Sequence, residues 1–240
     1  MEEKREKNLT WECCHLANKK FVECEEDYKQ YWGKNFVGSN WKLTTNKKMI
    51  VDFKEEIATT DISFMTSKWI IEKVPFIFSG DLENYIRWKE LLAEKIGVDS
   101  KAIVLTGSSS VGFSLNPDNN LRPFSEKSDI DVAIISQLYF DISWHFLRNI
   151  GTRRYTLGKR ENNAIDDHRN RLIYWGTIAT DKILQIFPFG KKWITALNEM
   201  SNIEPTKERT INIRIYKDFE ALRAYHLNNL RLIKDKIISE

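Results

Sequence analysis

The sequence predicts an α/β fold, and three observations predict it. Two short runs of branched apolar residues, in KAIVLTG (101–107) and IDVAII (130–135), read as strands, the second covered on both faces. A third run, TINIRI (210–215), alternates as a strand does. Around them, apolar residues recur every three or four positions, the pattern of amphipathic helices. Helix, strand, loop, strand, helices, strand, helix is the order of an α/β chain.

Each element has its own justification. Residues 1–80 are rich in aromatics, among them Trp11, Phe21, Tyr28, Trp32, Trp41, Phe53, Phe64 and Trp69. They read as an N-terminal extension, helical near 8–31 and then irregular or short β, packed on a core spanning 81–240. In GDLENYIRWKELLAEKIG, Tyr85, Trp88, Leu92 and Ile96 fall at helical spacing, with Asp81 able to cap the start and Gly97 the end. From 161 to about 184, Ile165, Leu172, Trp175, Ile178 and Ala179 suggest another helix. The stretch QIFPFGKKWITALNEM fits either a short strand or a turn entering a helix. Phe219, Leu222, His226, Leu230, Ile233 and Ile237 then step along a long C-terminal helix.

Bulk properties exclude several classes. A net charge of +3 over 240 residues is too small to argue for nucleic acid, so charge has to be read locally. No run approaches a membrane span, and the start, MEEKREKNLTWECC, has no apolar segment of the signal-peptide kind, so a cytoplasmic protein is expected. Cys13, Cys14 and Cys24 are no secreted disulfide framework. With His15 they lack the C-x₂-C spacing of a zinc site and read as reduced cysteines of a packed helix.

The pattern SDIDVAIIS carries the chemistry. Side chains at i and i+2 of a strand share a face, so Asp129 and Asp131 point the same way, about 6.6 Å apart along the backbone. Two carboxylates that close repel each other unless a cation lies between them, and Mg²⁺ prefers carboxylate and phosphate oxygens. Alone, the pair also fits a solvated strand end. Upstream, VLTGSSSVGF runs a strand into Gly107, three serines and Gly112. Glycine admits close backbone approach, and serine hydroxyls suit phosphate oxygens.

Gly107-Ser108-x-x-x-Gly112 followed by Ser128-Asp129-Ile130-Asp131 resembles the signature of the DNA polymerase β-like nucleotidyltransferase superfamily, over about 30 of the 240 residues. The resemblance implies a small mixed sheet flanked by helices. It implies that Gly107, Ser108 and Ser109 bind the nucleotide, and that Asp129 and Asp131 are catalytic and hold Mg²⁺ or Mn²⁺. The substrate would be an NTP, ATP first, and the acceptor a hydroxyl of RNA, protein or another nucleotide. A partner protein or a homo-oligomer is compatible with it, and members of this size are common in bacterial toxin–antitoxin and antiphage systems. The rival readings are a non-catalytic, nucleotide-sensing or scaffold member, and an RNA-binding module.

Two departures stand out. The segment joining Ser108 to Asp129 is long and would hang over the site, bringing Arg122 and Lys127 within reach of phosphates. Active members also carry a third carboxylate on a later strand. Here the matching positions are Gln185, or Asn212 and Arg214, with Asp181 and Asp218 just outside those runs and Asp166 or Asp167 available from the preceding helix. Elsewhere, RNIGTRRYTLGKR offers Arg153 and Arg154 for phosphate or acceptor contacts and Tyr155 for stacking on a base. His226 and His145 read as packed residues, and His168 is the histidine best suited to a polar site. No Ser-His-Asp arrangement and no phosphate loop with a lysine is recognisable.

Overall fold

The computed structural model describes residues 40–239. The expected helix near 8–31, the three cysteines and His15 lie outside the described residues. Residues 40–78 belong to the same compact unit as the sheet. They form α1 (Asn40–Thr59), α2 (Ile62–Thr66), a π-turn (Ser67–Ile71) and a 3₁₀ turn (Phe76–Phe78).

Helix α3 (Leu82–Ile96) has the caps that the sequence suggested. The Asp81 carboxylate accepts from the Asn84 amide at 3.0 Å, and Gly97 closes the helix in the left-handed conformation. Strand β1 (Ile103–Thr106) runs into a one-turn helix, α4 (Gly107–Val111), and a long loop leads to β2 (Ile130–Ile135). Then come α5 (Gln137–Arg148), a 3₁₀ segment (Gly151–Thr156), α6 (Lys159–Asp167), a π-turn (His168–Leu172) and β3 (Thr177–Ala179). Helix α7 (Gly190–Met200), β4 (Ile211–Tyr216) and α8 (Phe219–Ser239) complete the chain.

The four strands form a mixed sheet in the order β1-β2-β4-β3. β2 is antiparallel to β1 and parallel to β4, and β3 is antiparallel to β4. One face of the sheet carries Ile103, Leu105, Ile130, Val132, Ile134, Ile213 and Ile215, all buried. On the other face Val104, Ala133 and Tyr216 pack against Leu222 of α8. Farther along α8, Leu230 and Ile233 join Phe53, Trp69 and Phe113 in a second cluster. That cluster includes Leu115 and Leu121, so the long loop is anchored from beneath by its own apolar residues. Lys236 of α8 donates to the Pro117 carbonyl at 3.1 Å and to the Asn120 side chain, fixing the loop from the outside.

The helix expected over 161–184 is corrected. α6 ends at Asp167, and Gly176, at φ +63°, turns the chain into β3. A Cβ at Gly176 would lie 2.9 Å from Ala221 Cβ of α8, so glycine is required there by space as well as by conformation. QIFPFG is no strand either: Leu184–Ile186 form a 3₁₀ turn that leads into α7. No described helix is long and apolar enough to cross a membrane.

Candidate functional site

A cleft of ≈ 570 Å³ opens on the face of the sheet that α8 only partly covers. Its volume falls in the range of small-molecule sites. Gly107, Ser108, Asp129 and Asp131 all line it. β1 and β2 are paired so that Thr106 lies opposite Asp131, which sets the turn after β1 against the carboxylates of β2. The fit is close enough that a Cβ built on Gly107 would fall 2.3 Å from Asp131 Oδ2. The two halves of the sequence motif, separated by the long loop, meet side chain against backbone.

Asp129 enters from a turn that is itself held. Arg209, just before β4, donates through one nitrogen to the carbonyls of Ser125, Glu126 and Ser128 at 2.8, 3.0 and 2.9 Å. Its guanidinium stacks 4.7 Å from the centre of the Phe124 ring. Sequence reasoning missed Arg209, because its target loop lies more than eighty positions upstream.

The parallel pairing of β2 with β4 sets Asn212 beside Asp131 and Arg214 one pleat deeper. The Asn212 amide donates to Asp129 Oδ2 at 3.4 Å. Asp181, two residues past β3, lines the same cleft from the far edge of the sheet. The Thr180 amide and hydroxyl both donate to the Ile213 carbonyl, at 3.1 and 2.8 Å, which fixes the chain just before Asp181. The other acids considered are engaged elsewhere. Asp218 accepts from the Ala221 amide at the start of α8, Asp166 pairs with Arg154, and Asp167 pairs with Arg171. Gln185 donates to Glu161, away from the cleft.

Burial pushes the Asp131 carboxyl above its ordinary range; Arg214 opposes the shift, while Asp129 and Asp181 add to it. The cleft therefore holds one carboxylate whose charge is unfavourable until a cation arrives. Asp129 and Asp131 are the side chains here that could hold a hard divalent ion, which would take its remaining ligands from water and phosphate. Among the described residues no three acidic, histidine or cysteine side chains are grouped to hold a metal.

Several expected site residues turn out otherwise. Ser109 is fully buried, and its hydroxyl donates to the Thr106 carbonyl at 3.1 Å, so it stabilises the turn instead of facing the cleft. Arg153 and Arg154 do not line the cleft either. Arg154 reaches Asn162 and Asp166 of α6, and Tyr155 is exposed on the same segment. The long loop does reach over the site, and Asn116, Arg122 and Lys127 are part of its lining.

His168 is a structural bridge. It is buried, with Nδ1 2.6 Å from the Ala164 carbonyl, and its Nε2 accepts from the Ala179 amide at 3.0 Å. That pair of partners requires the neutral tautomer protonated on Nδ1. His226 is packed as expected, but its Nε2 is buried with no partner among the described residues, and the residue lines the cleft.

Burial lowers the pKa of His168 and takes that of His226 down to about 3, with Arg214 adding to the latter shift. Both values fall below the unfolded value of about 6.5, so the unfolded chain takes up protons first as pH drops. The stability present at neutral pH is expected to decline below about pH 6.5. Urea unfolding at pH 7.5 and pH 5 tests this: the midpoint drops at pH 5, and drops less in His226→Gln. A drop in His226→Gln as large as in the wild type would show that His226 takes its proton freely in the folded state.

Compared with family models, curated proteins and solved structures, the chain matches none of them.

Proposed function

We propose that this chain binds a nucleoside triphosphate in the cleft and transfers its nucleotidyl group to a hydroxyl of RNA, protein or another nucleotide. ATP is the first candidate donor. The observation that carries this reading is the contact between the Gly107 turn and Asp131, which brings the turn's backbone and the carboxylates at the start of β2 into one polar cleft.

Asp129 and Asp131 would hold a divalent cation, Mg²⁺ or Mn²⁺, whose chemistry is to neutralise the triphosphate and polarise the reacting phosphorus. Arg209 keeps Asp129 in place through the turn it grips, and the Asn212 amide orients the Asp129 carboxylate. The acceptor oxygen forms a bond to the α-phosphorus as the bond to the pyrophosphate oxygen breaks. Asp181 is the remaining carboxylate in the cleft and would take the proton of the acceptor hydroxyl. Ser108 and the loop cations Arg122 and Lys127 line the side where the phosphates would lie.

A second reading has its own support. The strand position beside Asp131 holds an amide and not an acid, and an amide donating to Asp129 stabilises the carboxylate without a metal. On that reading the chain binds nucleotide and performs no transfer, acting as a sensing or scaffold subunit.

The experiment that tests the first reading incubates purified protein with each α-labelled NTP, Mg²⁺ or Mn²⁺, and total tRNA. Asp129→Ala/Asp131→Ala is assayed in parallel. Labelled product or pyrophosphate that disappears in the variant supports transfer, and the product identifies the acceptor. ATP binding by the folded wild type with no turnover under any of these conditions supports the second reading.

A further inference from the structure

The cleft has a second end with a chemistry of its own. Its acids gather where β2 begins, at Asp129 and Asp131, whereas Arg214 lies one pleat deeper and faces His226 and Asn229 of α8. The Arg214 Nη1 atom and the His226 Nε2 atom are both buried, and neither has a hydrogen-bond partner among the described residues. Buried polar groups are otherwise nearly always paired, so two such orphans among the residues lining one cleft are a feature to explain.

We infer that Arg214 and His226 form an anion-binding subsite that takes a phosphate group of the cleft's ligand without the help of a divalent cation. Three points support it. Arginine stays charged in any protein environment, and although Asp131 attracts Arg214, no close ion pair joins Arg214 to an acid among the described residues, so its Nη1 donor capacity is unspent. The guanidinium lies over the Tyr225 ring, 4.7 Å from its centre, and interacts with the Tyr225 and Tyr216 phenols, which holds its plane while Nη1 stays unpartnered at the cleft. His226 supplies a second donor when its proton sits on Nε2, one turn of α8 from the Asn229 amide. A phosphate oxygen satisfies donors of this kind with charge-assisted hydrogen bonds, and a guanidinium suits it better than any other side chain.

The inference uses the proposed function only for the ligand's phosphates and fails separately from it. ATP and inorganic tripolyphosphate are titrated calorimetrically into the full chain in EDTA and again in Mg²⁺. The wild type, Arg214→Gln, Arg214→Lys and His226→Gln are compared, with thermal melting as the check on folding. The wild type is expected to bind both probes in EDTA. Arg214→Gln weakens that binding at least tenfold, Arg214→Lys weakens it less, and His226→Gln weakens it severalfold. If Arg214→Gln does not fold, the Lys and His226 variants decide the matter. Binding that needs Mg²⁺, or that is indifferent to all three variants in EDTA, overturns the subsite and leaves the transfer reading standing. Tripolyphosphate binding through Arg214, with adenosine adding no affinity and no label transferred, keeps the subsite and removes the nucleotidyl reading.

Discussion

Gly107→Ala is expected to abolish nucleotide binding at the cleft while leaving a folded protein. Gly107 has φ +63°, and the Cβ added there would fall 2.3 Å from Asp131 Oδ2, 3.1 Å from its Cγ and 3.2 Å from its Cβ. No real Cβ tolerates the first of these distances. Asp131 cannot simply swing aside as a surface acid would, because it projects from an interior strand of the sheet with Thr106 paired on one side and Asn212 on the other. The turn must therefore move away from the carboxylates, opening the contact between Gly107 and Asp131. A left-handed alanine adds about 1–2 kcal/mol of local strain, which a domain of this size withstands. Affinity for ATP in Mg²⁺ should fall by about a hundredfold or more, an estimate set by the loss of several phosphate contacts at once. Calorimetric titration beside a thermal melt separates the two effects. A variant that binds like the wild type would show that the ligand does not use the Gly107 turn.

How much of this was legible in the sequence follows from which signals are local. The strands that build the site were, because IDVAII and TINIRI are short runs of a kind that only a buried strand uses well. The i, i+2 spacing of Asp129 and Asp131 was sufficient to place them on one face. β3 was not legible. Three residues give no measurable period, and Leu172, Trp175, Ile178 and Ala179 also satisfy a helix; only Gly176 followed by Thr177 and Ile178 hinted at the break.

The site residues divide in the same way. Ser109 follows Ser108 in the chain, yet the helical turn that begins at Gly107 rotates it inward. The basic run at Arg153 and Arg154 is close to β2 in sequence, but the twelve residues of α5 carry it about 18 Å along the helix axis, and it then pairs with α6. Conversely, Arg209 reaches the turn before Asp129, and Arg214 and His226 reach the cleft, only because β4 pairs in parallel with β2, across some eighty positions. Such pairing has no signature in any local window. Asn212 and Arg214 could be named as strand positions beforehand, but their being an amide and a guanidinium beside the two aspartates acquires meaning only once the register is known.

The remaining large effect runs in opposite directions on stability and function. Asp131→Asn should stabilise the metal-free protein and eliminate its response to Mg²⁺. The raised carboxyl pKa means that the folded state disfavours the ionised form more than the unfolded state does. Between the ordinary carboxyl value and that raised one the folded chain binds more protons. Stability conferred by the neutral acid is thus present at low pH and lost as pH rises through the folded value. Above the folded value the ionised carboxylate carries the penalty, and replacing it with its neutral isostere removes it. Each kcal/mol recovered raises the melting temperature by roughly 2–4 °C in a chain of this size. The gain should shrink as the pH of the melt falls through the raised folded value toward the ordinary carboxyl range, where the wild-type carboxyl takes up its proton as well. Added Mg²⁺ should raise the melting temperature of the wild type and not that of the variant, since a ligand that binds only the folded state stabilises it by mass action. Transfer activity, where the wild type shows it, should fall by at least a hundredfold. A variant that melts below the wild type at pH 7 would mean that the attraction between Asp131 and Arg214 outweighs the burial of the carboxylate. Asp131 would then be holding the cleft together and not waiting for a cation.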